Sequence, residues 1–252
     1  MRFALVIPTR GDRPKFIEQC KYLISKQTLQ PTEVIWVDYP AKSGEKDITQ
    51  RYRKGIEEAK EKRYEFVVFW EDDDWYHPNY LEWLISNWIN ADKPNFFGVS
   101  ETYYYHLGTG NANHEVHKNR SSAFCTLVKL PWGIPWPQDN YPFLDLHIFK
   151  HYPGLCINFD GPIYAIGIKH GIGLSGGNGH NNAFRFNMPN SREWFYKNVG
   201  SDRNFYDSIL GEVKGSVSKN TVQINNNIPK LSNGSNLIKK IVPANSRRII
   251  RK

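Results

Sequence analysis

The sequence predicts an α/β fold: a mostly parallel, doubly wound sheet with helices on both faces. Three observations carry that expectation. Short continuous runs of β-branched and aromatic residues recur through the first hundred positions, as in strands buried on both faces. Longer stretches with apolar residues at helical spacing lie between them, the alternation of right-handed βαβ units. At 252 residues the chain is long enough to bury the core of one large domain.

Taken in order, residues 3–8 (Phe-Ala-Leu-Val-Ile-Pro) read as a first strand. Phe16, Ile17, Cys20, Leu23 and Ile24 then recur at helical intervals, with Pro14 placed where a helix accepts it at its start. Residues 34–38 form a second strand, and Ile48, Tyr52, Ile56 and Ala59 make the apolar stripe of a charged helix. Residues 66–70 (Phe-Val-Val-Phe-Trp) are a third strand. Leu81, Leu84, Ile85, Trp88 and Ile89 mark a third helix opened by Pro78. Residues 96–99 with 103–105 read as a fourth strand, and strand-like runs follow at 122–130 and 155–169. Between those two lie a Trp/Pro-rich loop at 131–137 and a short helix at 143–152. A Gly-rich stretch covers 171–179, and beyond Gly211 the chain reads as a loosely ordered tail or linker.

Composition excludes several classes. The net charge is +8, from 33 Lys and Arg against 25 Asp and Glu. Nine of those bases but one acid, Glu212, fall in residues 211–252, which leaves 24 of each in residues 1–210. The body therefore lacks the excess of base that duplex binding needs, so no DNA binding is expected of it. The basic tail is suited to an anionic surface or leads to another domain. Cys20, Cys125 and Cys156 are odd in number and widely spaced, which suits reduced thiols and gives neither a disulfide framework nor a zinc pattern. No apolar run approaches the ~20 residues of a membrane span, and the N-terminal apolar run is too short for a signal peptide. A cytoplasmic, soluble protein is the expectation.

The strongest chemical feature is Trp70-Glu71-Asp72-Asp73-Asp74-Trp75, directly after the third strand. Consecutive carboxylates repel one another unless a cation sits among them. In open α/β sheets ligands bind at the carboxyl ends of the strands. Hard oxygen ligands there suit Mg²⁺ or Mn²⁺.

These residues carry a resemblance. Val6-Ile7-Pro8-Thr9-Arg10, then Val37-Asp38, then the run from Phe69 through the carboxylates to Pro78 resemble a family 2, GT-A-fold glycosyltransferase, well over residues 1–90 and loosely over 120–185. The resemblance implies a single Rossmann-like GT-A domain over residues 1–210. Its nucleotide-sugar half would be about 1–100 and its acceptor half about 101–210. It implies metal-dependent, inverting transfer of a hexosyl or deoxyhexosyl group from a UDP-sugar to a glycan or other hydroxyl acceptor. Pro8, Thr9 and Arg10 would line the nucleobase pocket, and Asp38 would hold uracil or ribose. Asp73, of the carboxylate motif, would bind the metal that bridges the donor diphosphate. Glu71 replaces the family's usual first Asp, so it would act through water or on the donor's sugar. Asp72 is a further donor-side candidate, and Asp74 reads as a cap for the next helix.

A general base is expected from a downstream acid. Asp145, at the start of the 143–152 helix, is preferred over Asp139, although the family's usual Glu-Asp pair is absent at both. A histidine completes the metal shell in some GT-A enzymes, and His180, then His170, are the candidates flanking the Gly-rich stretch. Trp132 and Trp136 are the expected acceptor contacts, since aromatic faces stack on sugar rings. Two other readings compete: a non-catalytic nucleotide- or carbohydrate-binding module, and a sugar nucleotidyltransferase. The second lacks its Gly-rich loop, because Pro8-Thr9-Arg10-Gly11-Asp12-Arg13 stands there.

Overall fold

The computed structural model describes residues 1–40, 46–152, 154–171 and 186–210. In chain order the elements are β1 (Phe3–Pro8), α1 (Pro14–Ser25), β2 (Glu33–Val37), α2 (Ile48–Glu61), β3 (Phe66–Phe69), β4 (Trp75–Tyr76) and α3 (Tyr80–Asn90). They continue with β5 (Phe96–Val99), β6 (Glu101–His106), β7 (Asn111–Val116), β8 (Thr126–Lys129), α4 (Leu144–His151), β9 (Leu155–Ile157), β10 (Ala165–Lys169) and α5 (Arg192–Val199). Residues 203–210 are helical as well.

A six-stranded sheet in the order β2-β1-β3-β8-β5-β9 forms the centre. β1 runs parallel to β2 and β3, and β5 to β9, while β8 is antiparallel to both of its neighbours. The sheet is thus mostly parallel, as expected, with one reversed strand. Helices cover both faces. Leu5, Ile7, Phe66 and Val68 join the cluster that holds Phe16 and Leu23 of α1 and Leu81, Leu84 and Trp88 of α3. The alternate residues Ala4, Val6, Val67 and Phe69 join Tyr52 and Ile56 of α2 and Ile148 of α4. That two-residue alternation, apolar on both sides, is why these strands read as continuous runs. The approach of α2 to β1 is so close that a Cβ at Gly55 would collide with Val6 Cγ1.

A second sheet, β4-β10-β6-β7, departs from the sequence reading. Residues 103–105 do not continue β5; they belong to β6, paired with β7 and β10. The 122–130 run divides into a 3-10 turn at Ala123–Cys125 and β8. The 155–169 run divides into β9 and β10, one in each sheet. The Gly-rich stretch from 172 onward, His180 and the 211–252 tail lie outside the described residues. Among the described residues, no helix is long and apolar enough to cross a membrane.

Pairing in register is what assembles the site. Val6 lies opposite Phe69, so the ends of β1 and β3 emerge side by side at one sheet edge. The Trp70 N–H donates to the Val6 carbonyl at 3.2 Å and extends that alignment one residue further. β4 turns back after the carboxylates and pairs with β10 through Trp75 and Ile166. The end of β10 thereby delivers Lys169 and His170 to the same edge.

Candidate functional site: an acidic cluster at the sheet edge

The loop after β1 and the carboxylates after β3 line one small cavity of about 70 Å³. Pro8, Thr9 and Arg10 contribute from one side and Glu71, Asp72 and Asp73 from the other, with Asp12, Arg13, Asp47 and Arg51 completing the wall. Ligand clefts commonly enclose roughly 300–1,000 Å³, so this one has enclosed room for an ion and a few waters.

A buried network stiffens the β1 side. Arg51 on α2 is 1% exposed and donates through Nε and Nη2 to Asp47 Oδ2, at 3.0 and 2.7 Å. Its Nη1 donates to the Val37 carbonyl at 3.0 Å and to the Thr9 carbonyl. Arg10 Nη2 donates to Asp47 Oδ1 at 2.6 Å. Burial alone would raise the Asp47 carboxyl, but the two guanidiniums hold it below the usual carboxylate range. The Thr9 hydroxyl donates to Asp72 Oδ2 at 2.6 Å and ties the two strand ends together.

The four carboxylates have four different environments. Asp72 accepts from Arg13 Nη2 at 2.6 Å, yet burial and the neighbouring Asp73 charge push it up to about 6. Asp73 accepts from Arg13 Nη1, and His170 Nε2 stands 2.8 Å from its Oδ2. Burial opposes ionisation there, but Arg13 and His170 outweigh it and keep Asp73 charged well below the carboxylate range. Glu71 is pushed up to about 7, first by burial and then by the Asp73 charge. Asp74 accepts the Ile168 N–H at 2.7 Å through Oδ1, while its Oδ2 is buried with no hydrogen-bond partner among the described residues. Burial, Glu71 and Asp73 together push Asp74 well up. The expected helix cap is thereby corrected: the turn before β4 brings Asp74 onto β10, and Asn79 occupies the N-cap of α3.

Glu71, Asp73 and Asp74 bring one carboxylate oxygen each within 4.8 Å of one another. Arg13 serves Asp72 and Asp73, and the field of Lys169 acts on Glu71, Asp73 and Asp74. The orphaned Asp74 oxygen and the carboxyls forced upward, first by burial and then by one another's charge, fit a missing positive charge. A hard divalent cation meets both needs.

The other anticipated residues fall into place as follows. His170 is buried against Asp73, with its ring 4.4 Å from Phe16. Asp38 is exposed just past the end of β2 and does not line the cavity. Asp145 sits in the first turn of α4, with Oδ2 2.7 Å from Arg120 Nη1. Burial raises its carboxyl and Arg120 opposes that rise. Asp145 does not line the cavity. Asp139 is exposed and pairs with Arg53 of α2 at 2.8 Å. Trp132 and Trp136 stack on each other at 3.9 Å, with Phe96 edge-on to the first and Arg53 over the second. They flank the α2 face of the core and do not line the cavity.

Sequence reasoning missed Arg13, Asp47, Arg51, Arg120 and Lys169. Two basic residues three apart beside the strand-end loop, Arg10 and Arg13, were the available signal for the first.

No family model matches the chain, and no curated protein matches it. The search of solved structures gives distant likenesses. S. aureus TarS 1-349 matches with TM-score 0.45 and 12% identity over 90% of this chain and 76% of that one. The same protein in complex with UDP-GlcNAc matches with TM-score 0.33 and 18% identity, over 40% of this chain and 34% of that one. A197 from STIV matches with TM-score 0.38 and 14% identity, over 60% and 77%. In that UDP-GlcNAc match this chain spans about a third of the other's length. At these scores and identities the likenesses establish neither an activity nor a ligand.

Proposed function

We propose that the chain is a glycosyltransferase that moves a sugar from a UDP-sugar donor to a hydroxyl of a glycan acceptor, with Mn²⁺ or Mg²⁺ and with inversion. The observation that carries this reading is the convergence of Glu71, Asp73 and Asp74 at the carboxyl end of β3, with one buried Asp74 oxygen left unpartnered among the described residues. Asp73 and Asp74 would hold the cation, with Glu71 beside them and His170 backing Asp73. A bound divalent ion neutralises the charge that develops on a departing nucleoside diphosphate.

The chain's own residues do the rest. The Asp47–Arg51 network fixes the loop of Pro8, Thr9 and Arg10, so the nucleoside meets a rigid wall. Asp38, solvent-facing at the neighbouring strand end, is the acceptor group offered to uracil or ribose. Asp145 takes the proton of the attacking hydroxyl, with Arg120 holding one carboxylate oxygen and thereby its orientation. Inversion follows if that hydroxyl attacks opposite the leaving diphosphate.

The test is UDP release from a panel of UDP-sugars with Mn²⁺, with and without glycan acceptors. Release that requires the metal and rises with acceptor is the expected result. Donor binding without release under any condition would make the chain a binding module, and no donor binding would overturn the reading altogether.

A further inference from the structure

Arg13 stands where the carboxylates converge, and the proposed reaction as stated gives it no task. Its guanidinium donates to Asp72 at 2.6 Å and to Asp73, and lies 3.3 Å from His170 Nε2. The side chain is 14% exposed and lines the cavity. Resting on the metal-site reading above, we infer that Arg13 is the resident cation of the metal-free site. It holds Asp73 in place of the divalent ion, leaves when metal and donor arrive, and passes to the donor's diphosphate.

Three physical points carry this. First, Asp73 is one of the three acids that converge, so a guanidinium bonded to it and a divalent ion bonded to it compete for the same carboxylate. Second, the exchange gives Asp73 the divalent ion and Arg13 the diphosphate as new partners, while Asp72 keeps the Thr9 hydroxyl. A diphosphate offers the same bidentate oxygen geometry to a guanidinium as the Asp72–Asp73 pair, and removing a buried ion's partner without replacement is what costs several kcal/mol. Third, the turn that carries Arg13 is uncrowded at Gly11. Gly11, two residues upstream, has φ +71° with open space around it, and Arg13 sits just before α1 with no side-chain cap on the helix. Departure of Arg13 vacates room in the cavity it lines.

The experiment is Mn²⁺ binding followed by the loss of the free-ion EPR signal, on wild type, Arg13→Gln and Arg13→Lys, without and with UDP. Arg13→Gln should bind Mn²⁺ about tenfold more tightly without nucleotide, the gain expected if the open arrangement is about a tenth of the wild-type population. It should also bind UDP in the presence of Mn²⁺ about tenfold more weakly. Arg13→Lys keeps the charge but cannot span both carboxylates, so its Mn²⁺ affinity should fall between the two. Arg13→Gln binding Mn²⁺ no more tightly than wild type overturns the inference. So does Arg13→Lys matching wild type, because charge alone would then suffice. If neither wild type nor variants bind Mn²⁺, the metal reading falls and this inference falls with it; Mn²⁺ bound equally by all three removes only the role of Arg13. Should Arg13→Gln not fold, the lysine comparison decides.

Discussion

Asp74 accepts the Ile168 backbone N–H through Oδ1 at 2.7 Å, and this bond ties the carboxylate turn to β10 while leaving Oδ2 buried and unpartnered among the described residues. A hydrogen bond to one oxygen keeps the side chain in place even when the other has no ligand. Asp74→Asn preserves the accepting oxygen and removes a charge that its neighbours already disfavour. The metal-free variant should melt within about 4 °C of wild type. Wild type should gain about 2.7 kcal/mol at a Mn²⁺ concentration near 100 Kd, a rise of roughly 5–10 °C. The variant should gain almost nothing, which a thermal melt with and without Mn²⁺ reads directly.

Proton linkage gives a second expectation. Glu71 and Asp72 ionise at about 7 and about 6 in the folded chain, against ordinary values of 4.5 and 3.8. Between those limits the folded state holds protons that the unfolded state has released, so their stabilising contribution is full at acid pH and is lost as pH rises through about 7. Asp73 has the opposite sign: its contribution is present above its ordinary value and is lost only as pH falls below it. The metal-free protein should therefore melt at falling temperatures from pH 5 to 7.5, Glu71→Gln should flatten that slope above pH 6, and Mn²⁺ should abolish it. A metal-free slope of the opposite sign would contradict the assigned environments.

The acid proposed as base is separable by experiment from the proposed donor site. Asp145→Asn should leave UDP affinity within about twofold and lower acceptor-dependent turnover by about 10²–10⁴, the range of general-base catalysis. Asp139→Asn, which loses an exposed ion pair with Arg53, should keep turnover near wild type. The reverse pattern would move the base to Asp139.

Arg51 tests the scaffold. It is buried, it joins Asp47 to the Thr9 and Val37 carbonyls, and its removal takes that donor from the Thr9 carbonyl while Val37 keeps the Thr9 N–H. Arg51→Met should lose about 3–5 kcal/mol in urea unfolding and weaken UDP binding through the loosened β1 loop. Unchanged stability would mean that Arg10 alone satisfies Asp47.

The first hundred residues were legible because their elements are local and periodic. β1, α1, α2 and β3 read directly from apolar spacing, and the carboxylate cluster was visible as a run that cannot exist unpaired. The second sheet was not. β4 is two residues long, and β7, Asn-Ala-Asn-His-Glu-Val, has no apolar alternation; its pairing is decided by partners far along the chain. The same distance hid the site's cations. Arg13 and Asp73 lie 60 residues apart, and His170 is 97 from Asp73. Only the parallel register of β1 with β3 and the closure of β10 on β4 bring them together. His170, named as the second of two histidines, lies beside Asp73, and His180 lies outside the described residues.

The most direct measurement is anomalous diffraction at the manganese edge from crystals of the wild-type protein soaked with Mn²⁺ and UDP. The account predicts one strong peak in contact with the Asp73 and Asp74 carboxylates, with the nucleotide's phosphates against it. A peak elsewhere, or none with UDP bound, would contradict it.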